Sequence, residues 1–117
     1  MLTLTLPWPP RALNPNTRHA HWSKLATAKR RYRAACAIAA RSQGVGATQA
    51  KEIAVSLVFV PPDRRARDLD NLIASMKAGL DGLADVLELD DSRWTLTARK
   101  ADEVGGVVRV EVSQWPA

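Results

Sequence analysis

The densest chemistry in the sequence lies in Arg64-Arg65-Ala66-Arg67-Asp68-Leu69-Asp70-Asn71-Leu72, echoed further on by Leu89-Asp90-Asp91-Ser92. Two carboxylates one residue apart, led by three arginines, are a donor set for a hard divalent cation beside a phosphate-binding edge. Mg2+, for which Mn2+ can substitute, uses one or two carboxylates, keeps several waters and takes further oxygens from phosphate. Asp68, Asp70 and the Asp90-Asp91 pair are therefore the candidate metal ligands. A helix start and a neighbouring strand start can bring such pairs together at one sheet edge, where a bound cation serves phosphodiester hydrolysis. A plainer reading makes Asp68 a helix N-cap and Asp70 a complement to the helix dipole, each worth about 1 kcal/mol or less. It leaves the arginines and the second acidic pair unexplained.

Lys77 is a further candidate catalytic residue, beside the aspartates. Counted from Asp70 at about 100° per residue, Ala74, Lys77, Asp81, Asp85 and Glu88 return to roughly one helix face. Lys77 stands two turns on, about 10 Å by axial rise, and could hold the scissile phosphate or neutralise developing charge. The bland counterpart is a solvated Lys77–Asp81 pair at i,i+4, worth a few tenths of a kcal/mol.

The partner suggested by charge is a polyanion. Residues 1–51 hold nine Lys/Arg and no acid, whereas eight of the twelve acids lie between 63 and 91. A basic half would deliver DNA to a metal-loaded centre; it also suits a merely solvated basic helix. Arg11, Asn14, Arg18, His21, Trp22, Lys24, Arg30 and Arg31, with Arg64, Arg65 and Arg67, are the candidate DNA-binding residues, arginine, asparagine and tryptophan being suited to backbone and base contacts. His19 and His21, one residue apart, fit phosphate contact or solvation better than metal ligation. Neither Gly-x-Gly-x-x-Gly nor a phosphate loop occurs, so no nucleotide cofactor is expected.

These residues need a frame. Leu2 to Leu6 alternates as a short strand, and Pro7, Pro9 and Pro10 stop it. Residues 11–22 read as a loop. Ser23 is placed to cap a helix running to about Arg41, with Leu25, Ala28, Tyr32, Ala35 and Ala39 at helical spacing. Glu52 to Val60 is the strongest strand and expected to be central. Leu72, Ile73, Met76, Leu80, Leu83 and Leu87 trace one helix over about 69–87. Trp94 to Ala101 and Val107 to Ser113 read as two strands joined as a hairpin through Gly105-Gly106. The order β-α-β-α-β-β predicts a small α/β (α+β) sandwich, a four-stranded mixed sheet carrying two helices.

At 117 residues, 46% hydrophobic and 25% charged, the chain is expected to form a single domain over 1–117. One cysteine, Cys36, excludes an intrachain disulfide and a cysteine-rich zinc module. There is no run of 18 apolar residues and no signal-peptide pattern at the start, so a cytoplasmic setting without membrane is expected.

Asp68-Leu69-Asp70-Asn71-Leu72, preceded by arginines and followed by Lys77, Leu80-Asp81-Gly82-Leu83 and Asp90-Asp91-Ser92, resembles the RusA family of Holliday-junction endodeoxyribonucleases. Leu6-Pro7-Trp8-Pro9-Pro10 and Leu13-Asn14 are similar to that family's proline-rich lead-in and its asparagine, so the likeness spans nearly the whole chain. The resemblance implies a homodimer, of the kind encoded by bacteria, phages and prophages, that resolves four-way junctions by Mg2+-dependent paired nicks in recombination and repair. Its essential, catalytic acids would be Asp68, Asp70 and one of Asp90 and Asp91, with Asp91 preferred. The family's catalytic lysine lies one turn after the second aspartate, where this chain has Ala74; Lys77 would take the role with three residues inserted in the helix. Beside the nuclease stands an alternative of another class, a non-catalytic DNA-binding or regulatory module on the same fold.

Overall fold

The structure is a computed structural model that describes residues 1–18 and 21–115; His19 lies outside them. Four strands are formed: β1 Leu2–Pro7, β2 Glu52–Val60, β3 Trp94–Lys100 and β4 Val107–Trp115. Their order across the sheet is β1-β4-β2-β3, with β4 antiparallel to both β1 and β2, and β3 parallel to β2. The expected mixed four-stranded sheet is therefore present, and β2 is central.

Alternation decides which face is covered. Leu4 and Leu6 of β1, Val108, Val110 and Val112 of β4, and Ile53, Val55, Leu57 and Phe59 of β2 fall on one face and are buried. The helices α1 Trp22–Ser42, α2 Leu69–Ser75 and α3 Lys77–Leu87 cover that side. Thr3, Thr5, Arg109, Glu111, Thr95, Thr97 and Arg99 alternate on to the other, exposed face. Polar and charged residues there suit a sheet with one solvated side.

Three expectations are corrected. The 69–87 segment is two helices rather than one, breaking at Met76, whose backbone N–H reaches Ile73 O as well as Ala74 O. One residue earlier, the Ser75 hydroxyl donates back to the Asn71 carbonyl at 2.8 Å, a bond that bends helices. A smooth apolar stripe does not reveal such a break. Strands β3 and β4 form no hairpin either, because β2 lies between them. Their connection is fastened to the end of β2 instead, through Ala101 N–H to Phe59 O, Gly105 N–H to Pro61 O and Gly106 N–H to Val60 O. Lastly, α1 starts at Trp22 with His21 at the N-cap position, where no side chain caps it, so Ser23 is inside the helix.

Helix α1 lies close against α3 because two glycines face it. A Cβ on Gly82 would stand 2.2 Å from the Arg33 carbonyl oxygen, and one on Gly79 would stand 2.7 Å from the Tyr32 ring. Tyr32 then joins three parts of the fold. Its buried hydroxyl donates to the Pro7 carbonyl at 2.6 Å and lies 3.2 Å from the Met76 sulfur, tying α1 to the end of β1 and to the helix break. Beneath it, burial pushes the Cys36 thiol up to about 11, leaving it an inert core group. No helix among the described residues is long and apolar enough to cross a membrane.

Candidate functional site

The proline run after β1 and the arginine loop after β2 converge on one cavity. Of about 570 Å3, it is lined by Trp8, Pro9, Pro10, Arg11, Asn14, Asn16, Pro62, Arg65 to Asp68, Asn71, Leu72 and Ser75. Segments fifty residues apart in sequence thus share one wall, through local geometry at each side. A 3-10 turn over Arg11–Leu13 buries Leu13 and turns the chain after the prolines. Asn14 Oδ1 then accepts the Asn16 N–H at 2.9 Å, and the Thr17 hydroxyl donates to Arg11 O at 2.6 Å.

Across the cavity, Arg67 is held and largely covered, whereas Arg65 is exposed. Arg67 Nη1 lies 2.9 Å from an Asp63 oxygen and donates to the carbonyls of Asp63 and Arg65, leaving the side chain 18% exposed. Its guanidinium carbon lies 5.7 Å from the centre of the Trp8 ring, which meets Phe59 edge to face at 6.0 Å. That stack joins loop to lead-in. Arg65, 75% exposed, has a longer contact with Asp63 at 3.4 Å. Arg67 first, and the Arg65 backbone N–H next, hold the Asp63 carboxyl well down, at about 2.

Asp68 occupies the N-cap position of α2, but its side chain makes no cap hydrogen bond. The capping explanation for Asp68 is thereby removed, and the exposed carboxylate borders the cavity. Asp70 lies in the first turn, where Oδ1 accepts the Asn71 N–H at 3.0 Å. Two exposed carboxylates at a helix start, with oxygen donors only, suit a hard cation that needs one or two of them.

The second acidic pair stands elsewhere. Because β3 runs parallel to β2, its start, Trp94 opposite Ile53, is at the far end of the strand from Lys100, whose Nζ donates to Arg67 O at 2.7 Å. Asp90 and Asp91 precede that start; Asp68 and Asp70 follow Arg67. The pairs do not meet at one sheet edge, and among the described residues no three acids or other ligating side chains gather as a metal cluster. Asp90 caps the short 3-10 turn Asp91–Arg93 by accepting the Ser92 N–H, and the Ser92 side chain first, then that backbone bond, holds its carboxyl below the ordinary range.

Asp91 instead meets Lys77. Lys77 Nζ donates to Asp91 Oδ2 at 2.6 Å and to Asp81 Oδ1 at 3.0 Å. Asp91 first, then Asp81, raise the lysine's pKa, so it is a cation at neutral pH and not a proton acceptor. The i,i+4 pair with Asp81 is thus present, together with a longer-range contact that its spacing does not foretell.

The remaining candidate residues divide. Arg30 lines a groove of about 590 Å3 with Lys29, Arg33, Lys77, Ala78 and Asp81; Ser75 borders both this groove and the first cavity, so the two adjoin. Arg64 lines a smaller recess with Arg65, Arg67 and Lys100. Arg18, His21, Trp22, Lys24 and Arg31 are exposed away from these hollows, Trp22 at 83%. Trp8, Asn16, Ser75, Lys29 and Asp81 were not among the candidates. Trp8, an aromatic set between prolines, and Asp81, four residues after Lys77, carried local signals.

Fold and site together define a two-layer α/β domain whose arginine- and asparagine-lined cavity is bordered by the helix-start carboxylate of Asp68, with Asp70 exposed in the next turn. No family model matches the chain. Over 107 residues it is 36% identical to an uncharacterized protein of Xylella fastidiosa (strain Temecula1), an alignment covering 89% of this chain and 69% of that protein. The chain belongs to the family of that uncharacterized protein.

Proposed function

We propose that this protein is a Mg2+-dependent, structure-selective DNA endonuclease, acting as a homodimer in the cytoplasm to resolve four-way junctions by paired nicks. The observation that carries the reading is a pair of hollows sharing Ser75, one lined by Arg11, Arg65 and Asp68 and the other by Lys29, Arg30 and Lys77. They set basic side chains beside the exposed carboxylates at the start of α2, of which Asp68 lines the first hollow. Arg11, Arg65, Lys29 and Arg30 bind the phosphate backbone. Asp68 and Asp70 hold the cation, which when bound supplies Lewis-acid chemistry at a phosphodiester. Lys77, kept charged by Asp91 and Asp81, offers positive charge to phosphate. Asp91 contributes to metal binding only by exchanging its contact with Lys77. Junction selectivity and the dimer rest on the resemblance to RusA nucleases and on the need to cut two strands.

The test is a labelled four-way junction incubated with purified protein, with and without Mg2+. Cleavage is expected only with the metal. Asp70→Asn should keep junction binding and lose cleavage by about a hundredfold or more, a direct ligand mattering more than the outer partners of a metal site. Normal cutting by that variant would show the site is misassigned. Sedimentation should give twice the 12.8 kDa of one chain.

A second reading has its own support. The separation of the acidic pairs, and the clasp on Lys77, suit a non-catalytic DNA-binding module in which Asp91 and Asp81 only steady a lysine. Calorimetry distinguishes the two, since the module takes up no Mg2+ at Asp70.

A further inference from the structure

We propose that the cavity between Trp8 and Asn71 receives one nucleotide extruded from a DNA strand, its base inside and its phosphate on Arg65 and Arg11. For its ligand the inference rests on the DNA reading above; the cavity's own chemistry carries the rest.

Size comes first. At about 570 Å3 the hollow falls among sites that enclose small ligands, roughly 300–1,000 Å3. Nucleobases within a duplex are stacked and paired, so only an unstacked one can enter such a recess. Branch points supply these most readily, because a base already unpaired there loses little on leaving the stack.

The lining matches a base better than a bare anion. Trp8 and the planar Arg67 guanidinium, itself held by Asp63, form a rigid aromatic and π-bearing wall. Asn14 has its carbonyl oxygen engaged by Asn16, which leaves its amide N–H groups as donors. The half-buried Asn71 side chain has no hydrogen-bond partner among the described residues, so both its amide donor and its acceptor are available. Asp68 adds a carboxylate acceptor at the cavity wall without a cap bond to occupy it. Carboxamides and a carboxylate can read the donors and acceptors of a base edge.

Charge then sets the orientation. The Asp68 carboxylate opposes a phosphate filling the cavity, whereas the exposed Arg65 and Arg11 side chains can hold one at the mouth. A base inside with its phosphate outside satisfies both. It also brings the strand's backbone past Asp68, beside the candidate cation site.

The test uses the intact 15N-labelled chain without divalent metal. It is titrated with the four 2'-deoxynucleoside 5'-monophosphates, with 2-deoxyribose 5-phosphate and with inorganic phosphate. At least one nucleotide should bind about tenfold or more tightly than the sugar phosphate, the advantage expected of one stacked base. Its shifts should fall on residues 8–16 and 65–75. Arg65→Ala should weaken nucleotide and sugar phosphate alike, whereas Asn71→Ala should remove only the nucleotide's advantage. Equal binding of sugar phosphate and nucleotide by the unsubstituted chain overturns the proposal, as do shifts confined elsewhere or an advantage untouched by Asn71→Ala. The unsubstituted comparison decides even if a variant does not fold. Junction cleavage is assayed separately: nucleotides can fail to bind while junctions are cut, or bind while they are not.

Discussion

Asp63 does at residue scale what none of the candidate ligands does: it fixes the shape of the site. Its carboxylate holds Arg67, and its Oδ1 also accepts the Arg65 N–H at 3.0 Å, so one acid orders the loop that carries Asp68. The folded state favours its ionised form, with a pKa moved from 3.8 to about 2. Such a depressed acid adds stability that is fully present above the ordinary value and lost as pH falls through the shifted one. The loop should therefore stay ordered at neutral pH and loosen between about pH 4 and pH 2. An NMR titration following the Asp63 carboxyl and the Trp8 indole should show both changing together in that window. In Asp63→Asn the indole should lose that transition; an unchanged profile would remove Asp63 from this role. The four-residue spacing of Asp63 and Arg67 does not foretell this pairing, because the segment is a loop and not a helix.

Among the elements, the contact between α1 and α3 tests best how sequence becomes position. Gly82 has no room for a side chain, since its Cβ would meet the Arg33 backbone oxygen at 2.2 Å. Backbone cannot rotate aside as a side chain would, so Gly82→Ala must push the helices apart. The expected cost is about 3 kcal/mol, toward the upper part of the usual overpacking range, with Tm lowered by on the order of 10 °C. Thermal unfolding followed by circular dichroism measures it. The existence of these elements was legible because their patterns are local: alternation in Leu2–Leu6 and Val108–Val112, an apolar run in β2, a helical stripe from Leu72 to Leu87. Pairing was not. Gly105-Gly106 favours a hairpin by turn chemistry, yet β2 is apolar on both faces and takes the place between β3 and β4. The candidate site followed the same division. Asp68, Asp70 and the arginines were legible as a group because they are neighbours in sequence. The joining of Trp8 to Arg67, of Lys77 to Asp91, and the separation of the acidic pairs depended on strand order, which no spacing encodes.

Across the whole molecule, charge is arranged so that attraction and selection come from different places. All nine basic residues of the first 51 are unopposed within that segment, and the acids begin only at Glu52. Several acids are then consumed internally: Asp85 by Arg33 at 2.7 Å, Asp63 by Arg67, and Asp81 and Asp91 by Lys77. That leaves Arg11, Lys29, Arg30 and Arg65 along the two hollows that share Ser75, none of them, among the described residues, in a salt bridge with an acid apart from the long Arg65–Asp63 contact. A DNA strand following this track would neutralise about four phosphates per protomer. Each neutralised phosphate contributes roughly −0.9 to the slope of log K against log salt for duplex arms, so a slope near about −3.6 per protomer is expected. Lys29→Ala combined with Arg30→Ala should reduce its magnitude by about 1.8, while the ratio of junction to duplex affinity stays unchanged, because backbone contacts carry no shape or sequence information of their own. Filter binding across a salt series, performed without Mg2+ to prevent cutting, measures both quantities. A slope unaltered by the double substitution would put the DNA elsewhere on the surface, and would direct the search to the exposed end of α1 around Trp22 and Lys24.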